Sequence, residues 1–245
     1  MIARAASAIA PTEIPAAAWD DGSRLLVVTK PRCRSGPEPV RLLSNNIRQT
    51  IPRTAPVPGL RPTYPLRTER LDLRPHRTDD LDDLYAFHSR PEVVRYTPWP
   101  VRDREQTRKA LEAKLRQDVL TEPGQWLVLA IELRETGTVI GEVLLKWASE
   151  TDRQGEIGFA LHTDYQGKGL AFEAATEVLR LGFEELGLHR ICAVLDDRNT
   201  ASAQLLERLG MHREAHLIEC AFFKGEWANE YVYALRADRW RAVRA

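Results

Sequence analysis

Between residues 167 and 187, apolar or small side chains recur at 171, 174, 175, 178, 179, 182, 183 and 186, while charges fall at 173, 177, 180, 184 and 185. A stripe with that 3.6-residue period is a helix that buries one face against a sheet. Its flanks narrow the choice. "GEIGFALH" reads as a strand before the helix, Gly187 stands at the left-handed C′ position that ends it, and "HRICAVL" reads as the strand after it. Strand, loop, helix and strand make one crossover, expected to be right-handed with its two strands parallel.

Around this unit the periodicity predicts an antiparallel meander. "ERLDLRP" alternates Leu71 and Leu73 with charge, and Pro123-Gly124 leads into "QWLVLAIEL", which "ETG" turns into "TVIGEVLLKW". Thr78 is placed to cap a helix whose solvated first turn carries Asp79, Asp80, Asp82 and Asp83, and a second helix is expected over 102–120. "RNTASAQLLERLG" adds a short helix. "HLIECAFFKGEWANEYVYAL" closes as a hairpin turning between Lys224 and Asn229. The expected class is mixed α/β of the α+β kind: a mostly antiparallel sheet of about seven strands flanked by about four helices, with one parallel crossover.

Composition divides the chain of 245 residues. Ten of its fifteen prolines lie in residues 1–65, and residues 1–62 hold 9 Lys+Arg against 4 Asp+Glu, leaving 35 − 9 = 26 against 35 − 4 = 31 for the rest. The expectation is a Pro/Arg-rich N-terminal extension, residues 1–62, too poor in apolar runs to order itself, followed by one domain over 63–245. Since Met1 and Met211 are the two methionines, a natural start just before the domain would need a non-AUG codon, for instance at Val57. The mildly acidic domain argues against nucleic acid as its partner and for a cationic one.

Cys33, Cys192 and Cys220 are few, odd in number and without metal-ligand spacing, which points to a reducing, cytoplasmic setting. No run of eighteen apolar residues predicts a membrane span, and "MIARAASAIAP" lacks the apolar core of a secretory signal. His212 and His216 are four apart, but on a predicted strand that spacing gives no metal pair. Cys192 reads as a small core residue. Trp147, Phe222, Phe223 and Trp227 are candidates for an acceptor cleft or for core.

The loop "YQGKGLAFEA" opens the long helix, whose first N–H groups have no partner within the helix and attract anions. Two nucleotide loops are excluded. A triphosphate loop needs Ser or Thr after its lysine, where Gly169 stands, and in a dinucleotide loop the glycine pair would not be followed by Leu170, Ala171 and Phe172. A pyrophosphate held by backbone donors and glycines fits.

With Gln166, Gly167, Lys168, Gly169, Leu170 and Ala171, this loop resembles the [RQ]-x-x-G-x-[GA] signature of the Gcn5-related N-acetyltransferases. The resemblance runs from about Leu66 to Trp240, through "LRTERLDLRP", "EIGFALHTDYQGKGLAFEA", "GLHRICAVLDDRNTASAQLLERLGM" and "KGEWANEYVYAL". These segments look like the branch that acetylates protein N-termini, including ribosomal ones (RimJ/RimL-like). It implies acetyl transfer from acetyl-coenzyme A to a primary amine by direct attack, with the loop on the pyrophosphate and no metal. The backbone of Phe159, Ala160 and Leu161 would lie along the pantetheine arm and near the oxyanion, and Asn199 would touch the coenzyme.

Glu156 matches the family's strand position for a general base, against the alternative of a pair with a neighbouring arginine. The tyrosine that many members use as acid is replaced by Leu206. Ser202 matches a serine used near the thiolate, while Asn199 serves equally as a helix cap. The hairpin glutamate of some relatives falls on Ala221, which leaves Glu219, two residues away on the same strand face, as the next candidate base. The acceptor stays open between a protein N-terminal α-amine and a small aminoglycoside or polyamine-like amine. The other alternative is a non-catalytic acyl-coenzyme A sensor. Monomer and homodimer are equally compatible.

Overall fold

The computed structural model describes residues 2–3 and 59–244. Nine strands form one sheet: β1 (Ile2–Ala3), β2 (Leu66–Arg67), β3 (Leu71–Pro75), β4 (Trp126–Leu133), β5 (Val139–Ser149), β6 (Gln154–Leu161), β7 (Arg190–Asp196), β8 (His212–Phe223) and β9 (Glu226–Arg236). Six α-helices accompany them: α1 (Leu81–His88), α2 (Pro91–Val94), α3 (Arg104–Lys114), α4 (Leu170–Arg180), α5 (Thr200–Arg208) and α6 (Ala237–Arg244). The strand order is β2-β3-β4-β5-β6-β7-β9-β8, with β1 paired to β6 off this path. Among the described residues β6–β7 alone is a parallel pair, as a crossover through α4 demands.

Alternation along β5 and β6 separates two buried faces. Val143, Leu145, Trp147, Ile157, Phe159 and Leu161 share one cluster with Ala171, Ala174, Ala175 and Val178 of α4. Across the sheet, Ala130, Val139 and Ala160 meet Leu84, Phe87, Val93 and Leu111 of α1, α2 and α3. Trp147 is therefore core and lines no cleft. The helix α4 passes into a π-helical turn, Leu181–Glu185, before Gly187 ends it at φ 70°.

Several local expectations are corrected. Thr78 caps nothing; it begins a 3₁₀ turn, Thr78–Asp80, that leads into α1. Asp80 is not solvated, because Arg74 binds both its oxygens at 2.7 and 2.9 Å and the Arg77 N–H donates to it at 2.7 Å. The second helix is shorter than 102–120: Asp103 caps it and it ends at Lys114. Leu120 instead exchanges backbone hydrogen bonds with Leu60 at 2.7 and 2.9 Å. Leu60 is buried, so the folded unit begins before residue 63. Nearly all of the expected N-terminal extension, Cys33 included, lies outside the described residues. The closing hairpin turns more tightly than expected, at Lys224 and Gly225, and its strand starts at His212 rather than His216.

On the α1–α3 face the sheet carries a buried ionic cluster. The Lys114 ammonium donates to the Glu142 carboxylate, and the imidazoles of His76 and His88 lie 3.8 and 3.9 Å from its oxygens. No helix among the described residues is long and apolar enough to cross a membrane.

Candidate active site

β6 and β7 pair over only three positions, Gln154–Arg190, Gly155–Ile191 and Glu156–Cys192. Both strands continue, to Leu161 and Asp196, so they part beyond Glu156 and leave the β6 edge free for another extended chain. The β6 edge is able to take one. Ile2 and Ala3 pair there with Ala160 and Phe159 and lie against β7 as well. Two peptide groups thus occupy backbone that the family resemblance leads us to expect beside a pantetheine arm, whose amides have the same donor and acceptor pattern.

The glycine loop follows at the end of β6. The Gln166 Nε2 donates to the Leu161 carbonyl at 2.8 Å, so this side chain braces the loop on its strand. Gly167 and Gly169 have φ of 74° and 79°, a region that other residues rarely adopt. A Cβ at Gly167 would meet nothing within 4 Å, which marks an open face. Gly169 is the N-cap of α4 and has no side chain to satisfy the first turn. Among the described residues, nothing accepts from the N–H groups of Gly167, Lys168, Gly169, Leu170, Ala171 or Phe172. Side chains of Leu170 and Ala171 are buried in the core, so these two residues offer the loop their backbone only. The Lys168 ammonium sits 5.4 Å from the Tyr165 ring centroid. A row of free donors at the start of an amphipathic helix fits an anion such as pyrophosphate.

Glu156 is buried at the apex of the gap, on the sheet face of Gly158 and Ala160 and opposite Lys146 of β5. Cys192 beside it is half-buried. Burial, and next the charge of Glu156, push its thiol up to about 11, and the Sγ donates to the Gly155 carbonyl at 3.4 Å. A protonated thiol is a poor nucleophile.

Asn199 caps α5: its Oδ1 accepts from the Ser202 N–H at 3.2 Å. Ser202 is fully buried, and among the described residues its hydroxyl has no hydrogen-bond partner. A buried hydroxyl without a partner is costly unless it serves a ligand. Leu206, in the usual tyrosine position, is fully buried.

Glu219 does not share a strand face with residue 221 in the simple way that alternation implies. The register shifts between Leu217 and Ala221, Glu219 takes φ 47°, and its N–H donates to Asn229 Oδ1 at 2.8 Å. His216 pairs with Asp197 at 2.9 Å and His212 contacts Arg239, so they act separately. No group of three His, Cys, Asp or Glu side chains able to hold a metal occurs among the described residues.

Residues the sequence did not signal complete the site. A cavity of about 330 Å³ opens between α2 and the β8–β9 turn, lined by Pro91, Val94, Arg95, Arg198, Phe223 and Lys224, with Glu226 at its side. Lys224 closes that side by donating to the Val94 carbonyl. Of the four aromatics considered for a cleft, Phe223 alone lines this cavity, while Phe222 and Trp227 are exposed. No periodic pattern joins α2 to the hairpin turn, so only folding brings these residues together.

The family description "Acetyltransferase (GNAT) domain" matches residues 70–212. A Bacillus subtilis (strain 168) protein named Uncharacterized N-acetyltransferase YnaD is 32% identical over 176 residues, 71% of this chain and 98% of its own. A Bacillus anthracis GNAT-family acetyltransferase of known structure superposes with a TM-score of 0.63 at 28% identity, covering 70% of this chain and 98% of its own. Partial matches reach an Escherichia coli (strain K12) [ribosomal protein uS5]-alanine N-acetyltransferase, 33% identical over 84 residues, 34% of this chain and 43% of its own. An E. coli (strain K12) spermidine N(1)-acetyltransferase is 30% identical over 93 residues, 38% of this chain and 50% of its own. The chain belongs to the GNAT acetyltransferase family, and it is an N-acetyltransferase.

Proposed function

We propose that this enzyme acetylates a protein N-terminal α-amine of the ribosomal-protein type, using acetyl-coenzyme A in the cytoplasm and no metal. One observation carries the reading: Glu156 stands buried at the last paired position of β6 and β7, on the strand that runs on to the loop of free N–H donors. The coenzyme supplies a thioester carbonyl and a thiolate leaving group.

The chain's own groups do the rest. Backbone donors of Gly167, Gly169 and the first turn of α4 hold the pyrophosphate. The β6 edge at Phe159, Ala160 and Leu161 aligns the extended arm and offers an N–H to the oxyanion that forms on attack. Glu156 takes the proton that the attacking nitrogen loses, help worth roughly 10² to 10⁴ in rate. The Ser202 hydroxyl donates a hydrogen bond to the departing thiolate, which it stabilises without giving up its proton.

An α-amine titrates near 7.7–8.0 and a lysine amine near 10.4, so the first is far more often neutral at pH 7.

Mass spectrometry of an acceptor panel tests the proposal, with N-terminal peptides, N-terminally blocked lysine peptides, spermidine and an aminoglycoside side by side. Fastest turnover on unblocked N-termini is expected. Equal or faster turnover of spermidine would overturn it, and coenzyme binding with no product on any acceptor would favour a sensor.

A further inference from the structure

The loop is braced by a side chain from the far end of the domain. Arg70, in the turn between β2 and β3, donates from Nη1 to the Lys168 carbonyl at 2.9 Å, across 98 residues of sequence. Its Nε and backbone N–H donate to Glu173 at 2.8 and 2.7 Å, and Nη2 lies 2.7 Å from the same carboxylate. Thr68 Oγ1 adds a further bond to Glu173. A Cβ built on Gly169 would stand 3.5 Å from the Arg70 Nη2, which places the guanidinium on the flank of the loop.

Two features here work against anion binding and are offset by one residue. Glu173 lies in the first turn of α4, where its negative charge would repel a pyrophosphate held by the same turn. The Lys168 carbonyl is a second negative end within the loop. Carbonyl and N–H point in opposite directions across a trans peptide, so capture of the Lys168 carbonyl on one side turns the Gly169 N–H to the other. Burial opposes ionisation of Glu173, yet hydrogen bonds from Thr68 and Arg70 keep its carboxyl below the usual range, so the charge is present and needs its partner.

We propose that Arg70 is the positioning residue of the coenzyme loop, holding the Lys168 carbonyl and the Glu173 carboxylate off the pyrophosphate without touching the coenzyme. The inference rests on the reading of this loop as the coenzyme site.

Calorimetry with coenzyme A and 3′-dephospho-coenzyme A on the full chain tests it. Arg70→Ala should weaken both ligands by the same factor, roughly tenfold, since charge-assisted hydrogen bonds are lost. Arg70→Lys, which keeps the charge but cannot bridge both groups, should show a smaller loss of the same kind. Adding Glu173→Gln to Arg70→Ala should restore much of the affinity, an effect that a merely structural arginine would not show. In kinetics KM for acetyl-coenzyme A should rise while KM for the acceptor stays unchanged. Unaltered affinity in Arg70→Ala, a loss confined to coenzyme A over its dephospho form, or no gain from Glu173→Gln would each overturn the proposal. If the unaltered protein binds neither ligand, the loop reading itself fails.

Discussion

Glu156 and Cys192 face each other as the last pair of the parallel ladder between β6 and β7. Where that ladder stops, the backbone of β6 becomes available to a ligand, and the carboxylate sits at the point of divergence. Glu156→Gln keeps the shape but cannot accept a proton. The maximal rate should fall by roughly 10² or more with little change in coenzyme affinity. Raising the pH toward the acceptor's pKa should narrow the gap, because neutral amine is then supplied without help. Ser202→Ala should lose rate without that rescue. A folded glutamine variant with near-normal turnover at pH 7 would remove Glu156 from the mechanism and make Glu219 the next residue to change.

Gly169→Val places a branched side chain at φ 79° on the N-cap of α4. Strain and bulk both fall on the loop, since other residues rarely adopt that backbone. Coenzyme affinity should drop by roughly tenfold or more while far-ultraviolet circular dichroism is retained. Unchanged affinity in the folded variant would show that the phosphate lies elsewhere.

Ile2 and Ala3 use the same β6 edge that a pantetheine arm would need. A chain beginning at Gly59 keeps Leu60 and should melt as the full protein does, yet bind acetyl-coenzyme A more tightly. The gain equals the reciprocal of the fraction of molecules in which the edge is free, about tenfold if one in ten is. The peptide MIARAASAIAP added in trans should reverse it. Equal dissociation constants for the two chains would mean that the strand does not compete.

His88 is fully buried, and burial first, then the charge of Lys114, lowers its imidazole to about 4. In the unfolded chain it takes a proton near 6.5. The unfolded state therefore gains protons as the pH falls through 6.5 while the folded state does not. Stability is full above that pH and declines toward pH 4, by on the order of 3 kcal/mol for this residue. Urea midpoints between pH 7.5 and 5 should show the slope, and His88→Leu should reduce it, leaving the share of His76, which burial also lowers.

Lys114→Met leaves the Glu142 carboxylate buried without its ammonium. A loss of about 3–5 kcal/mol is expected. The double variant with Glu142→Leu should recover most of it, because two apolar groups then replace the pair. A double variant no more stable than the single one would show that the lysine acts through its packing alone.

The crossover was legible in the residues, for local reasons. A 3.6-residue stripe ending at Gly187, set between two short apolar strands, specifies a helix on a sheet, and a glycine N-cap specifies free donors at its start. The meander and the order of elements followed from the same alternation. Sequence could name Glu156 and Ser202 as candidates, but it could not decide what surrounds them. That β6 and β7 separate after Glu156, and that the Ser202 hydroxyl has no partner among the described residues, depends on how strands and helices pack.

Alternation misled at Glu219 because a bulge adds residues on one strand with no signature in composition. Asp80 read as solvated because Arg74, His76 and the end of β3 reach it only after the sheet forms. Arg70 and Glu173 stand 103 residues apart, and Val94 and Lys224 stand 130 apart. Helix and strand periods are set by neighbours within a few residues, so the chain itself determined its elements and the chemistry of its loop. Contacts across such separations arise only from the packed sheet, and these fix the loop's orientation and the cavity's walls.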